Sequence, residues 1–208
     1  MQLDEEYFRE SFKGVSFRGK RLRQMEDPIR GSYRRGSAAS MNGISPEQIC
    51  TVTGIDDMNQ FFFDVCCRSR PTSDILFDVL RERICDGAIV NTDRLNSYPK
   101  ALNELNVAVH NRYVPASHEG LNKVNALHSR VRLFLRRFNG VSTKWLCHYL
   151  AWMKWLSTFV KGRSLDKSCE IISKHIIGGE YGFRTRTVPF MPIPFRDREL
   201  NELKTYCS

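Results

Sequence analysis

The amino-acid sequence predicts an α/β fold, with one sheet of mixed strand direction and helices packed on its faces. Three observations lead to this prediction. A β-hairpin signal near the start is followed by alternating strand and helix patterns. One later strand pattern, GAIVNTD, is almost entirely apolar, which is typical of a central strand buried on both faces. The chain has 208 residues, 41% of them hydrophobic, which is enough for one domain with a core.

Strand patterns occupy the first part of the chain. MQLDEEYF alternates between apolar and polar residues and predicts a short first strand. QICTVTGI and QFFFDVCC predict two strands joined at residues 56–59. The seven cysteines show neither a CxxC pair nor a Cys/His spacing, so we expect buried thiols in a reduced, cytosolic chain and no structural zinc site. Cys66 and Cys67 are adjacent in a strand and are expected to point to opposite faces.

Helices and strands alternate through the rest of the chain. Thr72 or Ser73 can cap a helix through DILFDVLRERI. The strand GAIVNTD follows and ends on Asp93. The remaining predicted elements are a helix at Leu95–Leu105, a strand NVAVHNRYV, and helices at Lys123–Phe138, at residues 143–160 and at Leu165–Ile177, before an irregular tail.

This order of elements matches the ribonuclease-H-like fold, in which the first and fourth strands lie side by side. Asp4 and Asp93 would then face each other, and two carboxylates so close repel unless they share a cation such as Mg²⁺ or Mn²⁺. Asn125, near the start of a helix at the same end of the sheet, could add a neutral oxygen ligand. The alternatives are a frayed surface acid for Asp4, a helix N-cap for Asp93 and a solvated helix residue for Asn125.

The segment KVNALHSRVRLFLRRF predicts a helix with two stripes. Apolar residues spaced three and four apart form one stripe, and a polar stripe lies about 100° away. Its members are Asn125, Ser129, Arg132 and Arg136. Arg132 is placed to hold a phosphate, while His128, on the seam between the stripes, is expected to be a partly buried packing residue rather than a ligand. No Asp or Glu occurs between Gly120 and Leu165, which indicates that something negatively charged belongs beside this face.

The charge balance indicates a polyanionic partner. The net charge is +9 and the isoelectric point is near 9.4, which favours nucleic acid first and an anionic membrane surface second. Residues 13–46 carry eight Lys or Arg against two acids and predict a basic loop inserted after the first strand. The alternative is a solvated charged loop without a partner. The predicted nucleic-acid contacts are Lys20, Arg21, Arg23, Arg34, Arg35, His128 and Arg136. The apolar stretch at residues 145–160 is too short to span a membrane.

Several segments resemble the DDE-type insertion-sequence transposases, and among these the ISXO-two-like branch. The resemblance rests on QLDEEYF, ICTVTGID, RPTSD, DGAIVNTD and above all VNALHSRVRLFLRRFNGVSTKWLCHYLAWMKWL, and it covers roughly residues 2–160. It implies a ribonuclease-H-like catalytic domain over residues 1–160, with the basic insertion at 13–46. A C-terminal helix and irregular tail would follow over residues 161–208.

The resemblance also implies roles for individual residues. Asp4 and Asp93 would be the first and second catalytic acids and metal ligands, and Asn125 the third, since the branch often carries Asn there. Arg132 stands where the family has Lys, and His128 matches a histidine of the motif. The implied activity is metal-dependent cleavage and transfer of DNA strands at the ends of an insertion element, with Mg²⁺ or Mn²⁺. The implied partner is double-stranded DNA, bound in the cytoplasm at the nucleoid, where the chain could act as a homo-oligomer.

The sequence departs from the family in ways that leave alternatives open. Family members usually carry a zinc-ribbon or helix-turn-helix region ahead of the first acid, whereas this chain starts three residues before Asp4 and has no CxxC. It could be part of a longer gene, or a truncated remnant that binds DNA without cleaving it. A related nuclease of the same fold is a further alternative. Arg132 in place of Lys keeps the charge but changes the geometry.

Overall fold

The structure, a computed structural model, describes residues 1–11, 43–44, 48–114 and 120–178. These residues form a five-stranded mixed sheet with helices on both faces, which confirms the predicted α/β class. The strands are β1 Gln2–Arg9, β2 Gln48–Ile55, β3 Phe61–Arg68, β4 Ile89–Thr92 and β5 Val109–Arg112. The helices are α1 Ser73–Leu80, α2 Tyr98–Glu104, α3 Asn122–Arg136, α4 Leu146–Trp155 and α5 Leu165–Gly178.

Strand β1 lies at the centre of the sheet, whose order is β3-β2-β1-β4-β5. Strands β1, β2 and β3 pair antiparallel, and β1, β4 and β5 run parallel. The first and fourth strands are therefore neighbours, as predicted, and Gln2 pairs with Asn91. Because β1 and β4 run in the same direction, Asp4 and Asp93 each lie two residues beyond this pair, at the same end of the sheet.

The helices differ from the predictions mainly in their bounds. Helix α1 ends at Leu80 and not at residue 84, and α2 begins at Tyr98, with Pro99 in its first turn, and not at Leu95. The single helix predicted over residues 143–160 is divided into a 3-10 turn at Thr143–Trp145, α4, and a π-helical turn at Leu156–Val160. The order of these elements along the chain is the predicted one.

Two apolar clusters, one on each face of the sheet, hold the helices in place. Helices α1 and α2 pack over Leu3 and Val52, whereas α3 and α4 pack over Ile49, Ile55 and Val65. Neighbouring residues of β2 thus contribute to opposite faces, as strand alternation requires. Burying one such side chain contributes roughly 1.5–3 kcal/mol to stability.

The β2–β3 hairpin contains an irregularity that overturns one prediction. Its turn lies at residues 56–59, as expected, and Asn59 has a φ of +61°. Further along, Cys50 pairs with Cys67 and Thr51 with Val65, so Cys66 is an extra residue in a β-bulge. Cys66 and Cys67 both enter the core beneath α1 and α2, with their Sγ atoms 3.7 Å apart. The expectation of opposite faces is wrong, because a bulge interrupts the alternation on which it rested.

Several predictions concern residues outside the described part of the chain. These are the basic insertion at 13–46, apart from residues 43 and 44, and the tail beyond residue 178. The predicted contacts Lys20, Arg21, Arg23, Arg34 and Arg35 are among them. Within the described residues, no helix combines the length and the apolar character needed to cross a membrane.

Candidate functional site

Three carboxylates converge where β1 runs past the end of β4. Asp4 belongs to β1, and Asp93 directly follows Thr92, the last residue of β4. Glu5, next to Asp4, reaches the same place. One carboxylate oxygen from each of Asp4, Glu5 and Asp93 lies within 4.8 Å of the other two. The structure brings the two predicted acids together and adds a third that the sequence reasoning did not include.

Glu5 was missed because of strand alternation. Successive side chains of β1 point to opposite faces, so Asp4 and Glu5 should diverge. The β1–β4 ladder, however, holds only the pair Gln2–Asn91, and β4 ends at Thr92. Beyond that end, side chains from both faces of β1 can approach Asp93. The available signal was the run of three acids at residues 4–6 in a strand that otherwise looks suited to a sheet.

Burial and mutual repulsion change the titration of these acids. Burial, followed by the negative charge of Asp93, raises the pKa of Asp4 to about 7. Burial likewise raises the pKa of Glu5 to about 8. The Tyr98 hydroxyl beside Glu5 offsets part of that rise, although it does not meet the carboxylate in normal hydrogen-bond geometry. Acids that retain protons near neutral pH for lack of a counter-charge are those that a bound cation would relieve.

Asp93 also shapes the connection from β4 to α2. Its Oδ1 accepts a hydrogen bond from the backbone N–H of Leu95 at 2.8 Å, which limits the orientations of the carboxylate. The alternative that Asp93 is the N-cap of the following helix is wrong, because α2 begins at Tyr98 and Ser97 occupies the N-cap position. Asp93 instead closes a turn between the strand and the helix.

The side chain of Gln2 fixes the start of α3 against β1. Its Oε1 accepts hydrogen bonds from the backbone N–H groups of Lys123 at 2.9 Å and Val124 at 3.1 Å. Leu121, at the N-cap position, has no side-chain group that could do this. Gly120, just before the helix, has a φ of +81° and lies against the ring of Tyr113, so a larger residue would be strained and would overlap the ring. Helix α3 is thereby held over the face of β1 that carries Asp4.

Asn125 lies on the first turn of α3 with its side chain exposed. It precedes His128 by three residues and so lies on the same side of the helix. Nδ1 of His128 is 3.7 Å from Asp4, which puts Asn125 near the acidic cluster. The oxygens that converge are nevertheless those of the three carboxylates. The role of Asn125 as a third ligand stays a prediction.

Arg132 forms a bidentate ion pair with Glu6, a partner that was not predicted. Its Nε and Nη2 donate hydrogen bonds to the two carboxylate oxygens at 2.6 and 2.8 Å. Glu6 is 4% exposed, whereas the side chain of Arg132 is 66% exposed. Burial raises the pKa of Glu6, which Arg132 partly offsets, and the bond to Glu6 raises the pKa of Arg132. Arg132, predicted to hold a phosphate, thus commits its Nε and Nη2 atoms to Glu6.

His128 lies beside the same carboxylates and is 4% exposed. Its Nδ1 is 3.3 Å from Glu6, and its Nε2 is buried without a hydrogen-bond partner in the described part of the chain. Burial, together with the charge of Arg132, lowers the pKa of His128 to about 4, so the ring is neutral at pH 7. This burial agrees with the expected packing role. It argues against the expected contact between His128 and nucleic acid.

Basic residues border the outer side of α3. Arg136 is exposed in the last turn of the helix, as the stripe pattern predicted. A cavity of about 430 Å³ between α3 and α4 is bordered by Arg130, Arg137 and Lys161. These three residues were not singled out from the sequence, because their convergence depends on how α4 packs against α3.

Searches of the chain against known protein families and curated proteins found no match. What the protein does must therefore be inferred from its site.

Proposed function

We propose that this protein cuts and rejoins DNA strands with divalent metal ions, as a catalytic domain of the ribonuclease-H-like, DDE transposase type. One observation carries the proposal. Asp4 and Asp93 each lie two residues beyond the paired Gln2 and Asn91 of the parallel strands β1 and β4, and their carboxylate oxygens, with that of Glu5, lie within 4.8 Å of one another. Convergent acids on adjacent strands are the arrangement that a shared hard cation requires. The central place of β1 in the sheet supports the same fold type.

The residues of the cluster fit Mg²⁺ or Mn²⁺. Carboxylate oxygens are the ligands that these ions prefer. The pKa values of Asp4 and Glu5 are raised first by burial and further by the negative charge of neighbouring acids, and a bound cation would oppose both effects. A bound ion would polarise a phosphate and activate a water molecule or a 3′-hydroxyl. Asp4 and Asp93 would hold the ion. Glu5 would complete the set of charged ligands, and Asn125 stays the predicted neutral ligand.

The other residues of the site would position the DNA. Arg132, whose orientation is fixed by Glu6, would contact a phosphate beside the acids. Arg136 and the residues bordering the α3–α4 cavity would contact the backbone further away. Contacts of this kind are independent of base sequence, and they match the net charge of +9. The basic insertion at residues 13–46 stays a predicted contact.

Strand nicking and strand joining on supercoiled DNA with Mg²⁺ or Mn²⁺ test the proposal. The wild type is compared with Asp93→Asn, which removes one ligand charge and keeps the size of the side chain. Asp86→Asn, at an exposed acid between α1 and β4, is the matched control. We expect nicking and joining by the wild type and the control, and neither by Asp93→Asn. Equal activity in all three chains would exclude the acidic cluster as the catalytic site.

Metal binding gives a readout that does not depend on activity. Mn²⁺ binding, followed by electron paramagnetic resonance, should be weakened at least about tenfold in Asp93→Asn and unchanged in Asp86→Asn. DNA binding without metal should be the same in all three chains. Nicking without joining would identify a nuclease in place of a transposase.

A non-catalytic DNA-binding protein is the second candidate, and the pairing of Arg132 with Glu6 favours it. The pair occupies two nitrogen atoms of the residue that was expected to hold the phosphate. Under this alternative, DNA binding would fall steeply with salt and would be unaffected by Asp4→Ala or by a chelator. No chain would nick DNA at any metal concentration.

A further inference from the structure

A second cluster of metal-ligand side chains lies in the core, away from the carboxylates. Cys50, Cys66 and Cys67 are buried beneath α1 and α2, each at most 1% exposed. Their three Sγ atoms lie within 4.8 Å of one another. All three are free thiols. Three convergent sulfurs form a set of ligands that the proposed DNA chemistry does not use.

Strand register and the β-bulge together build this cluster. Tyr7 of β1 pairs with Cys50 of β2, and Cys50 pairs with Cys67 of β3, so these three side chains stand side by side on one face of the sheet. Cys66, at the bulge, lies in the same core. Val65 lies on the face covered by α3 and α4, so unbroken alternation would place Cys66 beneath α1 and α2 but Cys67 on the opposite face. The bulge therefore brings a third sulfur to the face of the sheet that carries Cys50.

Hydrogen bonding accounts poorly for this arrangement. The thiol of Cys66 meets the carbonyl oxygen of Cys50 at 3.7 Å, and that of Cys67 meets the carbonyl oxygen of Ser69 at 3.7 Å. Thiols are weak donors even at closer range. The hydroxyl of Tyr7, beside Cys50, is buried without a hydrogen-bond partner among the described residues. Three sulfurs and one oxygen thus lie together without strong partners.

We propose that Cys50, Cys66 and Cys67 bind one thiophilic cation, Zn²⁺ or Cu⁺. Tetrahedral zinc, with Zn–S bonds of about 2.3 Å, sets its sulfurs about 3.8 Å apart. Cys66 and Cys67 already have this spacing, at 3.7 Å. The other sulfur pairs lie within 4.8 Å and need to shift by at most about 1 Å to reach it. The Tyr7 hydroxyl, beside Cys50, is the oxygen that we assign as the fourth ligand.

Charge favours Zn²⁺ over Cu⁺ in this position. Three thiolates with Zn²⁺ carry one net negative charge, whereas with Cu⁺ they carry two, and net charge is costly to bury. Thiolates are soft ligands and carboxylates are hard ones, so this site and the acidic cluster would select different ions. An ion on the cysteines would tie β1, β2 and β3 together and would stabilise the sheet that carries the acids.

Metal analysis of the full chain tests this proposal. The protein is refolded under reducing conditions with one equivalent of Zn²⁺ or, in a separate arm, of Cu⁺, and the bound ion is counted after free ion is removed. Cys66→Ser and Cys67→Ser each remove one ligand with little change in size. The controls are Cys85→Ser, at an exposed thiol, and Cys147→Ser, whose thiol contacts His148.

We expect about one ion per chain in the wild type and in both controls, and binding at least about tenfold weaker in Cys66→Ser and Cys67→Ser. Whichever of Zn²⁺ and Cu⁺ stays bound to the protein identifies the cation. Co²⁺ in place of zinc should give a sulfur-to-cobalt absorption band, which supports the site even if a serine variant fails to fold. The proposal is overturned by no bound ion in either arm, by equal binding in Cys66→Ser and the wild type, or by a Cys66–Cys67 disulfide in the freshly purified chain.

Discussion

Two clusters of three ligand side chains lie on one sheet, and they differ in chemistry and in exposure. The carboxylates lie at the open end of β1 and β4, where the side chain of Asp4 is 20% exposed. The thiols lie at the β2–β3 bulge and are at most 1% exposed. In both clusters the ligand atoms come within 4.8 Å of one another. The carboxylates are thus partly open to solvent, whereas the thiols are closed off from it. The two clusters therefore differ in exposure and not in the spacing of their ligand atoms, and we assign catalysis to the exposed one and a structural role to the buried one.

The largest expected effect, on the rate of DNA nicking, tests whether the two clusters serve different purposes. Asp4→Asn should lower the rate of DNA nicking roughly 1000-fold, because about 4 kcal/mol of transition-state stabilisation would depend on the bound ion. Cys67→Ser should leave the rate within about threefold, since its thiol lies in the core and not at the site. The measurement is the formation of nicked circles at saturating Mn²⁺. A comparable loss in a folded Cys67→Ser protein would make the thiols part of the catalytic site.

The next largest effect concerns how the acidic side of β1 is held. Arg132→Ala leaves the buried carboxylate of Glu6 without its ion-pair partner and should lower the free energy of unfolding by about 2–3 kcal/mol. Glu6→Gln should cost less, because the side chain of Arg132 is 66% exposed and remains solvated. Urea denaturation of the two variants at pH 7 measures the difference. A larger loss in Glu6→Gln would contradict this order.

The pH dependence of stability should distinguish the two clusters, because we expect it to arise from the carboxylates. The folded protein holds the pKa of Asp4 at about 7 and that of Glu5 at about 8. In the unfolded chain both take ordinary values near 4. Between about pH 4 and pH 8 the folded state therefore binds more protons than the unfolded state, so stability falls as the pH rises through this window.

We expect a fall of at least about 2 kcal/mol between pH 5 and pH 8 in a chelator. Urea denaturation at several pH values measures it. Burial is the main cause of both raised pKa values, and the charge of Asp93 adds to it, so Asp93→Asn should weaken the dependence, and Mg²⁺ should restore stability at pH 8. Stability that rises with pH over this range would show that Asp4 and Glu5 ionise normally.

The smallest expected effect concerns the helix over the acidic face. Gln2→Ala removes the acceptor of two backbone hydrogen bonds at the start of α3 and should cost about 1 kcal/mol. Gln2→Glu keeps an acceptor there and is the matched control. Hydrogen exchange of the Lys123 and Val124 amides should accelerate in the alanine variant alone. Unchanged exchange would mean that other groups hold the first turn.

Much of the sheet could be predicted because its information is local. The apolar run GAIVNTD and the order of the elements placed β4 beside β1, and so placed Asp93 beside Asp4. The features that were not predicted depend on contacts between distant segments. The bulge at Cys66 exists only in the pairing of β2 with β3. The approach of Glu5 depends on where β4 ends, and strand ends are poorly marked in a sequence.

The helix face shows the same limit. Spacing put Arg132 on the polar stripe of α3, and the structure agrees that its side chain is exposed. Its partner Glu6 depends on the angle at which α3 crosses β1, which no pattern within the helix contains. His128 was assigned to the seam between two stripes, and the crossing of α3 over β1 decided in favour of burial.

The central place of β1 has a consequence for the order in which the protein folds. β1 is the earliest of the five strands along the chain, yet Gln2 pairs with Asn91, 89 residues further on. Such non-local pairings slow folding, since a long loop must close before its contacts form. The acids of β1 can meet Asp93 only when that closure is complete. In a refolding experiment, the gain of divalent-ion affinity should therefore lag behind the collapse of the chain and mark the joining of its two halves.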